Sequence, residues 1–70
     1  MATTAFTVTG MTCDHCERAV RSEVGEIAGV TGISVSAASG QLSVTTAGDP
    51  VDTAAVLAAV DEAGYTAQLA

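Results

Sequence analysis

A chain of 70 residues with two basic and eight acidic side chains carries a formal charge of −6. This balance argues against a nucleic-acid partner, because such binding depends on basic neutralisation of phosphates, and against an anionic membrane surface. Only two of the residues are aromatic, although 49% are hydrophobic, so aliphatic side chains must fill most of the one small core expected for residues 1–70, a single domain.

Targeting and membrane signals are not visible in the sequence. The N-terminus has no basic segment followed by a long apolar run, and no segment approaches the ~20 apolar residues that a membrane span needs. We therefore expect a cytoplasmic protein without membrane insertion.

The first half of the chain predicts a strand and a helix. Residues 4–9 alternate apolar and polar side chains, and Gly10 interrupts them. A helix should begin near residues 14–16 and continue to about residue 27, with Gly29 as a stop. Asp14 and Glu17 have the spacing of a capping box, and Thr12 is a rival N-cap. The helix should bury Cys16, Ala19 or Val20, Val24 and Ile27, and point Glu17, Arg18 and Arg21 elsewhere.

The second half predicts a hairpin, a helix and a last strand. Residues 30–37 and 41–46 alternate again, around a turn at residues 38–40. A helix is predicted over residues 51–63, with Asp49 as its N-cap and Pro50 in its first turn. Its apolar stripe should comprise Val56, Leu57 and Val60. Gly64 ends this helix, and residues 65–69 form the last strand.

This order of elements predicts an α+β fold, the ferredoxin-like βαββαβ sandwich. Two helices would cover one face of a four-stranded antiparallel sheet. In that topology the end of the first strand, the hairpin turn and the start of the last strand share one edge. We therefore expect residues 10–16, the Ser39-Gly40 turn and Gly64-Tyr65 to cluster.

The chemistry of the chain is concentrated in residues 10–16, which hold both cysteines, the only histidine and one of two methionines. They read Gly10-Met11-Thr12-Cys13-Asp14-His15-Cys16. Two thiols separated by two residues can bind one soft metal ion or close as a disulfide. In a reducing cytosol, ligand and redox roles are more common than a structural disulfide. The pattern alone leaves metal binding and dithiol redox chemistry open.

With this motif in this position, the chain resembles the heavy-metal-associated domain family. The family's mark is Gly-Met-x-Cys-x-x-Cys between first strand and first helix, and the resemblance covers nearly the whole chain. It is most similar to free-standing bacterial copper chaperones, which share His15 and the Gly64-Tyr65 pair.

The resemblance implies a non-enzymatic Cu(I) chaperone with Cys13 and Cys16 as thiolate ligands. Such proteins pass the ion to the metal-binding domain of a copper-exporting P-type ATPase. The alternatives are a metal-binding domain excised from such an ATPase and a dithiol redox protein.

Further residues are expected around the metal. Met11 should pack inward and anchor the loop rather than bind the metal, and Gly10 should supply backbone freedom. His15 is a solvated loop residue, a partial positive charge beside the thiolates, or an extra ligand in a copper-bridged dimer. Tyr65 should shield the site or offer its hydroxyl. Asp14 is expected to cap the helix rather than bind metal.

The choice of metal follows from the number of ligands. Zn(II) prefers four tetrahedral ligands, and one chain offers two cysteines plus at most Asp14 or His15. Zinc- and cadmium-type relatives often place an acidic residue just before the first cysteine, where this chain has Thr12. Both points favour Cu(I), with Ag(I) as a mimic and Zn(II) as the less favoured ion.

The charge near the predicted site also bears on the partner. The chain has no lysine to offset the charge of a two-thiolate copper centre. We therefore expect a partner with basic residues around its own cysteines. Without metal, the chain should be a monomer.

Overall fold

The elements of the computed structural model follow the predicted order. The structure describes residues 1–11 and 14–70, without the side chain of Asp14. Within them the elements are β1 (Ala2–Thr9), α1 (Asp14–Gly25), β2 (Val30–Ser36), β3 (Gln41–Thr46), α2 (Thr53–Glu62) and β4 (Thr66–Leu69). The strands form one sheet in the order β2-β3-β1-β4, and every neighbouring pair is antiparallel. The predicted ferredoxin-like sandwich is confirmed.

The two central strands, β1 and β3, bury alternate residues as predicted, whereas β2 buries only Val35 and β4 buries no residue. Phe6 and Val8 of β1 and Leu42 and Val44 of β3 belong to the core. Threonines alternate with them on β1 and face solvent. β1 begins at Ala2 rather than at residue 4, because β3 provides pairing partners as far as Ala2↔Thr46.

The helix α1 buries the predicted face. Cys16, Val20 and Val24 lie in the core, and Ile27 packs against it from just beyond the helix. The regular helix ends at Gly25, before the predicted residue 27, and Ile27 N–H donates to the Val24 carbonyl at 3.1 Å in the turn that follows. Within the described residues, neither α1 nor α2 has the length and apolar character needed to cross a bilayer.

The start of α2 differs from the prediction. Asp52, not Asp49, is the N-cap, and its carboxylate accepts a hydrogen bond from Ala54 N–H at 3.0 Å. Pro50 therefore lies before the helix. The reason is tertiary: Thr46 Oγ1 donates to the Asp49 carbonyl at 2.6 Å, and Val51 is buried. These two contacts hold residues 49–51 as a connection.

The buried stripe of α2 is narrower than predicted. Val56 and Val60 are fully buried, but Leu57 is 37% exposed. Leu57 follows Val56 directly and is therefore rotated about 100° around the helix, away from the core. The last strand begins at Thr66, one residue later than predicted.

The predicted clustering at one end of the sheet is confirmed for the described residues. Val8 N–H donates to the Gly40 carbonyl at 2.7 Å, which places the hairpin turn (residues 37–40) against β1. A Cβ added to Gly10 would lie 3.4 Å from Cδ1 of Tyr65. The end of β1 thus runs between the hairpin turn and Tyr65.

Candidate metal centre

The chain leaves β1 through a glycine and a buried methionine. Gly10 has a φ of +93°, a backbone conformation that residues with a side chain rarely adopt. The predicted need for backbone freedom at this position is confirmed. Met11 is only 8% exposed and belongs to the core, so its predicted inward packing is also confirmed. Gly10 and Met11 therefore define where the chain leaves β1.

Cys16 lies in the first turn of α1, as the third residue of the helix. It is 7% exposed and belongs to the core cluster. The first turn of a helix presents N–H groups without intrahelical acceptors, and the helix dipole is positive there. Such a position favours the thiolate, which is the form of cysteine that binds metal. Cys13, the other predicted ligand, and Thr12 lie outside the described residues.

The two remaining predicted neighbours of the site differ in exposure. Tyr65 is half-buried against the core, with its ring beside Gly10, and its backbone N–H donates to the Val60 carbonyl at 3.1 Å. His15 is exposed. The structure therefore places Tyr65 at the end of the sheet where the cysteine motif begins. The roles of both residues toward a metal stay predictions.

One residue of this region behaves differently from the prediction. Glu17, expected to point elsewhere, accepts a hydrogen bond from the Ala37 backbone N–H on its Oε2 at 2.6 Å. This carboxylate oxygen therefore binds the hairpin turn rather than making the predicted capping-box bond at the start of α1. The bond joins positions 20 residues apart in the chain, so no local pattern signals it. The only signal is the topology, which brings the hairpin turn to this end of the sheet.

The described part of the site can therefore present one cysteine from a rigid element. Cys16, at the end of the motif, is held by α1 and the core. Gly10 and Met11 hold the start of the motif. A thiolate at a helix start is a ligand for soft cations such as Cu(I) and Zn(II).

Comparisons with known proteins agree with this arrangement. Residues 5–66 match the heavy-metal-associated domain. The chain is 36% identical over 58 residues to the copper chaperone CopZ of Bacillus subtilis (strain 168), covering 83% of this chain and 84% of that protein. It is 39% identical over 67 residues to copper-transporting ATPase 2 of Rhizobium meliloti (strain 1021), covering 96% of this chain but only 8% of the ATPase.

A solved structure with a similar sequence also has a similar fold. The structure described as CopZ metallochaperone superposes with a TM-score of 0.87 at 33% identity, covering 96% of this chain and 100% of that one. The family match spans most of the chain, from the middle of β1 to the first residue of β4. The chain belongs to the heavy-metal-associated domain family.

Proposed function

We propose that this chain is a cytoplasmic carrier of Cu(I) and not an enzyme. It binds one ion as cargo through the thiolates of Cys13 and Cys16 and passes it to the metal-binding domain of a copper-exporting P-type ATPase. The observation that carries the proposal is the position of Cys16, buried in the first turn of α1 within a family match that spans residues 5–66. The names of the relatives, copper chaperones and a copper-transporting ATPase, support copper as the cargo.

A site with one thiolate held on a rigid element suits a carrier. Cys16 belongs to a helix and to the core, and Cys13 stands three positions earlier in the sequence. Two sulfur ligands leave Cu(I) able to accept a third. A partner thiolate can therefore add to the ion before the Cys13 thiolate leaves, and the ion changes hands without a change in oxidation state.

An anaerobic titration of the reduced protein with Cu(I), against a competing chromophoric chelator, tests the proposal. The wild type should retain about one Cu(I) per chain, and Cys13→Ser should lose this binding. Loss of a metal ligand lowers the affinity by more than the roughly 10–100-fold that follows mutation of a residue outside the ligand set. Met11→Leu is the control: it keeps the volume of a buried side chain but removes the thioether sulfur, and it should bind like the wild type.

Two results would contradict the proposal. One is a wild-type chain that cannot compete with the chelator; the other is Cys13→Ser binding as tightly as the wild type. Either result would favour the dithiol redox alternative, which a measured disulfide-exchange rate would then test directly. Loss of binding in Met11→Leu with the fold intact would make Met11 a ligand.

The distribution of charge supports a basic partner. None of the four described strands contains a charged residue, so all ten charged residues lie on the helices or on the connections next to them. The acidic residues therefore lie on the helices and their connections and not on the strands, and attraction to a basic surface should accelerate docking. The rate of copper transfer to an acceptor domain should fall as salt is raised; a rate independent of salt would contradict this steering.

A second candidate function rests on one comparison. The 39% identity to copper-transporting ATPase 2 extends over 8% of that protein, so a module of a larger transporter resembles this chain as well as a chaperone does. The two functions predict different polypeptides in the cell. Immunoprecipitation followed by intact-mass analysis should find a chain of about this length for a carrier, or one of ATPase length for a transporter module.

A further inference from the structure

Glu17 makes a hydrogen bond that the binding of metal by two cysteines does not require. Its Oε2 lies 2.6 Å from the Ala37 backbone nitrogen, in a partly buried position. The distance is that of a well-formed hydrogen bond, and partial burial reduces competition from water. Glu17 follows Cys16 directly in α1. The bond therefore ties the helical turn that carries Cys16 to the hairpin turn.

The same hairpin turn is also attached to β1. Val8 N–H donates to the Gly40 carbonyl at 2.7 Å, and Gly40 N–H donates to the Ser36 carbonyl at 2.9 Å, which closes the turn. β1 and α1 are the two elements that flank the cysteine motif. The hairpin turn thus holds both flanks of the motif, through Val8 on one side and Glu17 on the other.

We propose that Glu17 is a positioning residue for the bound metal. By accepting from Ala37 N–H, it holds the first turn of α1, and Cys16 with it, against the hairpin turn, and so slows the release of Cu(I). This inference rests on the proposed function. The slower release depends on the length of the Glu17 side chain and on its acceptor oxygen, not on its charge.

The charge of Glu17 acts in the opposite direction. A carboxylate near two metal-bound thiolates repels them and should weaken their hold on the ion. Substitutions separate the two effects. Glu17→Gln keeps the reach and an acceptor oxygen but removes the charge, whereas Glu17→Asp keeps the charge and shortens the side chain by one methylene. Glu17→Ala removes both, and Glu26→Ala removes an equal charge from an exposed site beyond the end of α1.

The experiment measures the rate at which copper-loaded protein releases Cu(I) to an excess of chromophoric chelator. Amide hydrogen exchange at Ala37 reports separately on the hydrogen bond. Release should be about tenfold faster in Glu17→Ala and Glu17→Asp, as expected for the loss of one hydrogen bond of about 1.4 kcal/mol. Glu17→Gln and Glu26→Ala should stay within about twofold of the wild type. Exchange at Ala37 should accelerate only in the two fast variants.

Other patterns would overturn the proposal. Wild-type release in Glu17→Ala, together with fast exchange at Ala37, would mean that the bond supports the fold but not the metal. Fast release in Glu17→Gln with slow release in Glu17→Asp would assign the effect to charge. If Glu17→Ala fails to fold by circular dichroism, the Gln and Asp variants still decide. Failure of the wild type to retain Cu(I) would instead refute the proposed function itself.

Discussion

The described residues of the two strand-to-helix connections differ in the hydrogen bonds that support them. The connections occupy equivalent positions in the two halves of the chain, β1 to α1 and β3 to α2, and lie at opposite ends of the antiparallel sheet. The connection from β3 to α2 closes on itself. Thr46 donates to the Asp49 carbonyl, Val51 enters the core, and Asp52 caps the helix through Ala54 N–H.

The described flanks of the connection from β1 to α1 are held by contacts with other elements. Its described residues lie beside Tyr65, and its flanks are attached to the hairpin turn through Val8 and Glu17. A connection that closes on itself uses its polar groups for its own support. One that is braced by neighbouring elements can leave its side chains for a ligand. Among the described residues, the flanks of the cysteine motif thus depend on other elements for support, whereas the connection from β3 to α2 is supported by its own groups.

The largest expected contrast is functional. Cys16→Ala should weaken Cu(I) binding by more than about a hundredfold, because loss of a ligand exceeds the usual 10–100-fold cost of an outer residue. Asp52→Ala, in the equivalent connection, should leave Cu(I) affinity unchanged even though it destabilises α2. Chelator competition on both folded variants measures the contrast. A comparable loss of affinity in Asp52→Ala would show that the two connections are not independent.

The bracing by the hairpin turn can be broken at Gly40. This residue has a φ of +70°, and an added Cβ would lie 2.9 Å from the Val8 carbonyl oxygen. Gly40→Ala should therefore lower the free energy of unfolding by about 2–3 kcal/mol, from the left-handed backbone and the contact together. Urea denaturation measures the change.

The matched control lies in the other connection. A Cβ on Gly48 would meet nothing within 4 Å. Gly48→Ala should thus be neutral or stabilise the fold by up to about 1 kcal/mol, because alanine restricts the unfolded chain more than glycine does. Equal destabilisation by both substitutions would remove the argument that the hairpin turn needs its close approach to β1.

The smallest expected effect concerns the cap of α2. Asp52→Ala should cost about 1 kcal/mol of unfolding free energy, because it removes the acceptor for Ala54 N–H. Asp49→Ala should cost less than about 0.5 kcal/mol, since Asp49 contributes its carbonyl rather than its side chain to the connection. Thermal or urea unfolding of the pair ranks them. The reverse ranking would restore Asp49 as the cap.

Much of this fold is predictable because its signals are local. The bounds of β3 agree with the prediction at both ends, since alternation is unbroken from Gln41 to Thr46. The buried face of α1, with Cys16 at its start, follows in the same way from helical spacing. The motif itself and the family assignment also depend only on neighbouring residues and on the order of elements.

The errors arise where distant residues decide. The local sequence allows two starts for α2, one at Asp49 and Pro50 and the other at Asp52 and Thr53. The choice between them depends on Thr46 and on the burial of Val51. The bond from Ala37 to Glu17 is likewise not predictable from neighbouring residues, because the hairpin turn approaches Glu17 only in the folded chain. The metal-binding role of Cys13 and Cys16 stays a prediction that the titration tests.

The hairpin turn has a consequence for the order of events during synthesis. The cysteine motif is synthesised before the groups that brace its flanks, because Ala37, Gly40 and Tyr65 all follow it in the sequence. Contacts of such long range form only after much of the chain is available to close the intervening loops. A nascent chain therefore contains the motif before the contacts that hold its flanks have formed. The flanks of the motif are therefore braced only after Tyr65 has been synthesised and the domain has folded.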